Sequence, residues 1–149
     1  MIGTLRTTPA LDRPDLLAAP VLAAIETLSW AAEVAVAEID PDLADTTAFC
    51  AAYDAPLETS ANCVVVGGRR GGEPRAAACL VLATTRADVN GVVRRLLDVR
   101  KASFLSVDDA VAQTGMEFGG ITPFGLPAQW PILIDARVAA LPHTVVGSG

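Results

Sequence analysis

At 149 residues the chain is long enough to bury a core without disulfide or metal staples, and a single domain spanning residues 1–149 is expected. Its 52% hydrophobic residues and mean hydropathy of +0.43 come without an uninterrupted apolar run of membrane-spanning length, which points away from a membrane partner and towards the cytoplasm. A net charge of −6 argues against a nucleic-acid binder that works by bulk phosphate neutralisation, but leaves room for one local basic patch.

Residues Asp15 to Trp30 carry Leu16, Leu17, Val21, Leu22, Ile25 and Leu28 at helical spacing, which predicts one helix bent or restarted at Pro20. The same segment is interrupted by Pro20 and preceded by Asp12, Arg13 and Asp15, so it does not read as a signal peptide. Val34 to Ile39 reads as a strand closed by Asp40-Pro41, and Asp45 is placed to cap a short helix running to about Tyr53. Leu57 to Ala61 leads into a strand. Asn62 to Val66, the glycine-rich Gly67 to Gly72, and Ala76 to Ala83 then read as a hairpin with a mobile tip. No Lys-Ser/Thr pair and no helix follow Gly72, so the glycines match a phosphate-cradling loop poorly.

Ala87 to Leu97 has apolar Val89, Val92, Val93, Leu96 and Leu97 on one side and arginines on the other, an amphipathic helix. Lys101 to Leu105 is a short strand. Ser106 and Asp109 open a helix over Val107 to Thr114, which Gly115 ends. Trp130 to Asp135 reads as a buried strand, Val138 as the centre of a helical turn, and Thr144 to Gly147 as a last strand. Strands and helices interleave without a regular βαβ rhythm, so pattern alone gives α+β or mixed α/β. Two basic groups stand out, Arg69, Arg70 and Arg75 in the hairpin and Arg94, Arg95, Arg100 and Lys101 around the end of the amphipathic helix; their charge pattern reads as solvated faces of a turn and a helix end.

Cys50, Cys63 and Cys79 are odd in number, lack CxxC spacing and have only His143 to join them, so neither a zinc site nor a disulfide framework is expected. Cys50 and Cys79 read as small core side chains.

The most specific stretch is Gly119-Gly120-Ile121-Thr122-Pro123-Phe124-Gly125-Leu126-Pro127. Three glycines and two prolines in nine residues make it a shaped loop between a helix end and a core strand, able to bring bare amide groups to a pocket wall. A tight turn without a ligand fits those glycines equally well.

Taken in order, the helix ending Thr114-Gly115, the Gly119-Gly120 to Gly125 loop, the Ile134-Asp135 strand and the terminal Val145-Val146-Gly147-Ser148-Gly149 resemble the YbaK/EbsC family, whose domain is related to the editing insertion of prolyl-tRNA synthetases. The likeness runs from about Ala31 to the end. It implies a curved, barrel-like mixed sheet with helices packed outside and a pocket at one mouth. It also implies hydrolysis of a wrong small amino acid from mischarged aminoacyl-tRNA, acting on the acceptor end, without cofactor or metal; a homo-oligomer is compatible with it.

Such chemistry needs a held carbonyl, donors for the developing oxyanion and a placed water, but no strong base. By resemblance the wall of the pocket falls on Gly119, Gly120 and Pro123, and Gly147 and Ser148 fall where relatives present a small residue and a hydroxyl near the substrate. The family's distinctive lysine, on the strand before the hairpin, falls on Asn62, which offers a neutral amide in place of an ammonium. A local cap is the plainer role for that asparagine. Lys101, the chain's one lysine, lies elsewhere in the pattern. If Asn62 faces the pocket, strand alternation turns Cys63 to the core, which disfavours a Cys63–His143 pair. Asp135 reads as a residue that holds backbone N–H groups, and Phe124 and Trp130 as core. The rival readings are a catalytically silent ligand- or protein-binding module of the same fold, and an esterase or thioesterase for a small acyl donor.

Overall fold

The computed structural model describes residues 2–149. The centre is the hairpin of β3 (Ala61–Arg70) and β4 (Glu73–Leu82), ten residues each and antiparallel in continuous register from Ala61↔Leu82 to Arg70↔Glu73. Its turn is only Gly71-Gly72, both at positive φ (56° and 83°), the backbone a two-residue hairpin turn demands. The expected glycine-rich tip is therefore shorter than its sequence suggested: Gly67 and Gly68 are strand residues. They are there because a Cβ on Gly67 would strike Leu105 and one on Gly68 would strike Lys101 O, so the neighbouring strand can lie close.

That neighbour is β5 (Ala102–Phe104), antiparallel to β3, while β6 (Ile132–Ile134) runs parallel to β4 at the other edge. The sheet order β5-β3-β4-β6 is mixed, as expected, and it ends at β5 and β6, which are not paired with each other. Trp130 is buried at 8% exposure, but Ile132 and Ile134 are 42% and 52% exposed. The expectation of a buried strand from Trp130 to Asp135 is thus corrected: β6 is an edge, and its alternate isoleucines face outward.

Helices cover the sheet on both faces. On one, Val66, Ala77 and Cys79 pack with Val93, Leu97 and Val99. On the other, Ala61 and Leu80 pack with Val138 of α5, the short helix Ala136–Ala139 numbered here in chain order. The amphipathic segment is not one regular helix: Val89–Val93 is a π turn, and only Arg94–Leu97 (α3) is α-helical. The Asp88 carboxylate accepts from both Gly91 N (3.0 Å) and Val92 N (3.2 Å), which reshapes the first turn and leaves Val92 and Leu96 exposed.

The N-terminal segment departs most from expectation. Its α-helix, α1, is Ala19–Glu26, with Pro20 inside the first turn, where its missing N–H costs nothing; no helix runs through the proline to be bent. The strand expected at Val34–Ile39 shrinks to β2 (Ala35–Val36), paired with a strand not foreseen, β1 (Thr8–Pro9). Two other helices follow their predicted ends. The Asp45 carboxylate caps α2 (Thr46–Tyr53) by accepting from Ala48 N at 3.2 Å. Ser106 Oγ accepts from Asp109 N at 3.1 Å to open α4 (Val107–Thr114), and Gly115 closes it at φ 69°. Among the described residues no helix is long and apolar enough to cross a membrane.

Candidate active site

The last expected strand is a single parallel bridge, Ser60↔Val145, which fixes the site's geometry. Ala61 N donates to Val145 O and Val145 N donates to Thr59 O, each at 2.9 Å, so the chain's end is hung on the start of β3. Two residues beyond the bridge on the two strands lie Asn62 and Gly147. Gly147 in turn lies against Gly120 so closely that a Cβ there would fall on the Gly120 carbonyl, 2.8 Å from its carbon and 3.1 Å from its Cα. Gly149 N then donates to Gly120 O at 2.7 Å, and Ala18 N donates to Ser148 O at 3.0 Å. Two segments some 60 residues apart in sequence, the strand start and the shaped loop, are joined through the Gly147–Gly149 segment.

Asn62 is exposed on β3, opposite Val81. Thr46 Oγ1, at the head of α2, donates to Asn62 Oδ1 at 3.1 Å. With its oxygen engaged by Thr46, the amide keeps its NH₂ as a pair of neutral donors. The partnership was not foreseen from sequence; Asp45-Thr46 announces a helix start, but nothing local says that the helix points at β3.

The two loop glycines differ. Gly120 N donates to Glu117 O at 3.0 Å and its carbonyl accepts from Gly149, so both of its polar groups are used within the protein. Gly119 is exposed at φ 92°, has nothing within 4 Å of where a Cβ would stand, and enters no main-chain hydrogen bond among the described residues. The bare amide expected of this loop is therefore Gly119's. Pro123 is half-buried and Ser148 exposed. Thr122, next to Pro123, is fully buried, and its hydroxyl has no hydrogen-bond partner among the described residues.

Cys63 turns away from Asn62, as alternation requires, and packs against the Ala61, Leu80 and Val138 cluster. Burial pushes its thiol up to about 12 and that of Cys79 up to about 11, so neither is a thiolate at neutral pH. Asp135 has the structural duty expected of it, although it holds α5 and not the loop: its Oδ1 accepts from Arg137 N at 2.8 Å, and Arg137 Nη2 sits 2.7 Å from Oδ2. Those bonds from Arg137 hold the carboxyl down at about 2. Phe124 packs with the α1 cluster, its ring 6.1 Å from that of Trp30. Among the described residues no three of His, Cys, Asp and Glu gather as a metal site.

Two concavities open in the distal half of the hairpin, of about 800 Å³ and 440 Å³, and neither borders Asn62, Gly119, Gly120, Pro123, Gly147 or Ser148.

A family model described as the aminoacyl-tRNA editing domain matches residues 40–149. The chain belongs to this family. The match takes in Asn62, the Gly119–Pro127 loop and the terminal glycines, and so bears out the resemblance drawn from those motifs. No curated protein matches the sequence. Among solved structures, the editing domain is similar to a protein proposed as a trans-editing enzyme for prolyl-tRNA synthetase, with a TM-score of 0.74 and 23% identity over 89% of this chain and 80% of that one. A scaffold used in computational grafting of linear epitopes gives the same TM-score and coverage at 24% identity. A protein known as hypothetical protein APE2540 gives a TM-score of 0.54 at 17% identity, over 62% of this chain and 59% of that one. At such identities these likenesses speak for the fold.

Proposed function

We propose that this protein is a trans-acting editing hydrolase that removes a wrong small amino acid from mischarged tRNA of the prolyl-tRNA editing type. The carrying observation is the convergence of Asn62 and the Gly119-Gly120 loop through Gly147, all within the span matched by the editing-domain family. In the reaction, water adds to the carbonyl carbon of the aminoacyl ester and its oxygen becomes an oxyanion. The ester C–O bond then breaks, the ribose oxygen takes a proton, and free amino acid and tRNA leave. Asn62 NH₂ and Gly119 N–H are the donors offered to the carbonyl oxygen as charge develops on it; Gly147, Ser148 and Pro123 bound the acyl group. Neutral donors suit this step because removing one such donor from a preorganised oxyanion site costs about 10²- to 10³-fold in rate. Nothing here requires a thiolate or an imidazole.

Deacylation of a panel of aminoacyl-tRNAs by the purified protein tests the reading, with Gly119→Pro as control, since proline cannot adopt the φ of 92° found there. Turnover on at least one mischarged species, lost in the variant, is expected; no turnover on any member refutes it. The second reading, a silent binding module of the same fold, is favoured by the internal use of both polar groups of Gly120. It predicts a retained ligand with no hydrolysis.

A further inference from the structure

We infer that the groove between the hairpin tip and the turn entering β5 takes backbone phosphates of the tRNA acceptor arm, a reading that rests on the editing function proposed above. The groove, about 440 Å³, is lined by Arg69, Arg100, Lys101 and Ser103 with the glycines of the hairpin, and no carboxylate lines it. That is unexpected in a chain with 17 acidic residues against 11 basic ones. The two basic groups of the sequence, expected to be separate solvated faces, are sorted by the fold. Arg70 and Arg75 turn to Asp98, with Nη1 to carboxylate distances of 2.8 and 3.5 Å, whereas Arg69, Arg100 and Lys101 form no ion pair among the described residues.

The placement is enforced by the backbone. Gly68 pairs with Ala102, and continuing that register sets Arg69 opposite Lys101. The lack of a side chain on Gly68 lets the Val99–Lys101 segment lie directly on the strand. Like charges facing each other across a strand pair destabilise it, so this juxtaposition calls for an anion to relieve it. The partner's chemistry follows: closely spaced phosphates, gripped by one ammonium and two guanidinium groups beside exposed glycine backbone. Seven steps along β3 lead from Asn62 to Arg69, about 23 Å at strand rise, and that odd interval turns the two side chains to opposite faces of the sheet. A tRNA whose esterified end lies at Asn62 would therefore pass round the β5 edge of the sheet and meet the groove several nucleotides back along the arm. The groove opens at the β5 edge of the sheet, so the strand can approach it from outside.

Binding of uncharged tRNA to the full chain, followed by fluorescence anisotropy across a salt series, tests this without relying on hydrolysis. The triple variant Arg69→Ala, Arg100→Ala, Lys101→Ala should bind at least tenfold more weakly, with a log–log salt slope shallower by about two to three, one counterion step per lost phosphate contact. An unchanged affinity and slope overturns the inference. Should the triple variant fail to fold, Asp98→Asn decides instead: asparagine tolerates the left-handed backbone there (φ 55°) and frees Arg70 and Arg75, so tighter binding supports the groove and unchanged or weaker binding overturns it. Failure of the deacylation panel alone would remove the editing reading while leaving this measurement to stand or fall separately.

Discussion

Replacing Gly147 by alanine probes the junction on which the site depends. The added Cβ would sit 2.8 Å from the carbonyl carbon of Gly120 and 3.1 Å from its Cα, closer still to its oxygen. All three are main-chain atoms, so no side chain can swing aside. Carbon–oxygen contacts settle at about 3.3–3.6 Å, so the two segments must part by roughly 1 Å. That displacement breaks the 2.7 Å bond from Gly149 N to Gly120 O. Losing one such bond costs about 0.5–1.5 kcal/mol. Overpacking costs about 1–3 kcal/mol. Together they make a loss of about 1.5–4.5 kcal/mol, equivalent to about 3–18 °C in Tm for a domain of this size. Gly119→Ala is the companion: with nothing within 4 Å of its Cβ, it meets only the backbone penalty of φ 92°, about 1–2 kcal/mol. Urea unfolding at constant m-value measures both. A Gly147→Ala variant within about 0.5 kcal/mol of wild type, the usual range for an uninvolved surface position, would refute the proposed close packing.

Three further outcomes are expected. Asn62→Lys should raise deacylation or shift its substrate preference, about tenfold in kcat/KM for one charge-assisted bond gained; an indifferent result argues against the placement of Asn62 at the family's lysine position. Thr122→Val removes a buried hydroxyl that has no partner among the described residues, so unfolding should show no loss and up to about 1–3 kcal/mol of gain; a loss beyond about 1 kcal/mol would mean that the hydroxyl is satisfied after all. Cys63 bears on pH. Its folded-state value of about 12 lies above the ordinary 9.0, so the folded chain holds the proton more firmly than the unfolded one, and the associated stability is complete below pH 9 and lost as pH rises towards 12. The fall in urea midpoint between pH 8 and 10.5 should be smaller in Cys63→Ala than in wild type, and equal falls would contradict the assignment.

How much of this was legible in the sequence depended on whether the signal was local. Asp45, Ser106 and Gly115 mark helix ends through their own side chains or backbone freedom, and the structure places the ends where those residues stand. The hairpin was equally readable. What was lost lies in partners distant in sequence: β1 and β2 are two residues each and carry no period to detect. The π turn arises from a carboxylate that takes two N–H groups at once, and the apolar periodicity of Val89 to Leu97 hides it. Ile132-Leu133-Ile134 reads as buried because every residue is apolar, yet edge placement exposes alternate side chains. At the site, Asn62 was visible as a departure from the family pattern, but Thr46 as its anchor was not. The loop glycines were visible as a pair, but their unequal use depends on the terminal segment folding back.

The stretch before the matched span is bound into the same structure as the loop. A Cβ on Gly125 would strike the carbonyl of Pro20, Gly149 rests against Ala18 and Val21, and Met116 is buried with Ala10, Val21 and Ile25. A version trimmed to residues 40–149 would strip the brace from behind the Gly119–Pro127 loop and bare its oily underside to water. Engineering that borrows this domain as a cassette should accordingly carry the leading thirty-nine residues along, treating them as the mould in which the loop is cast.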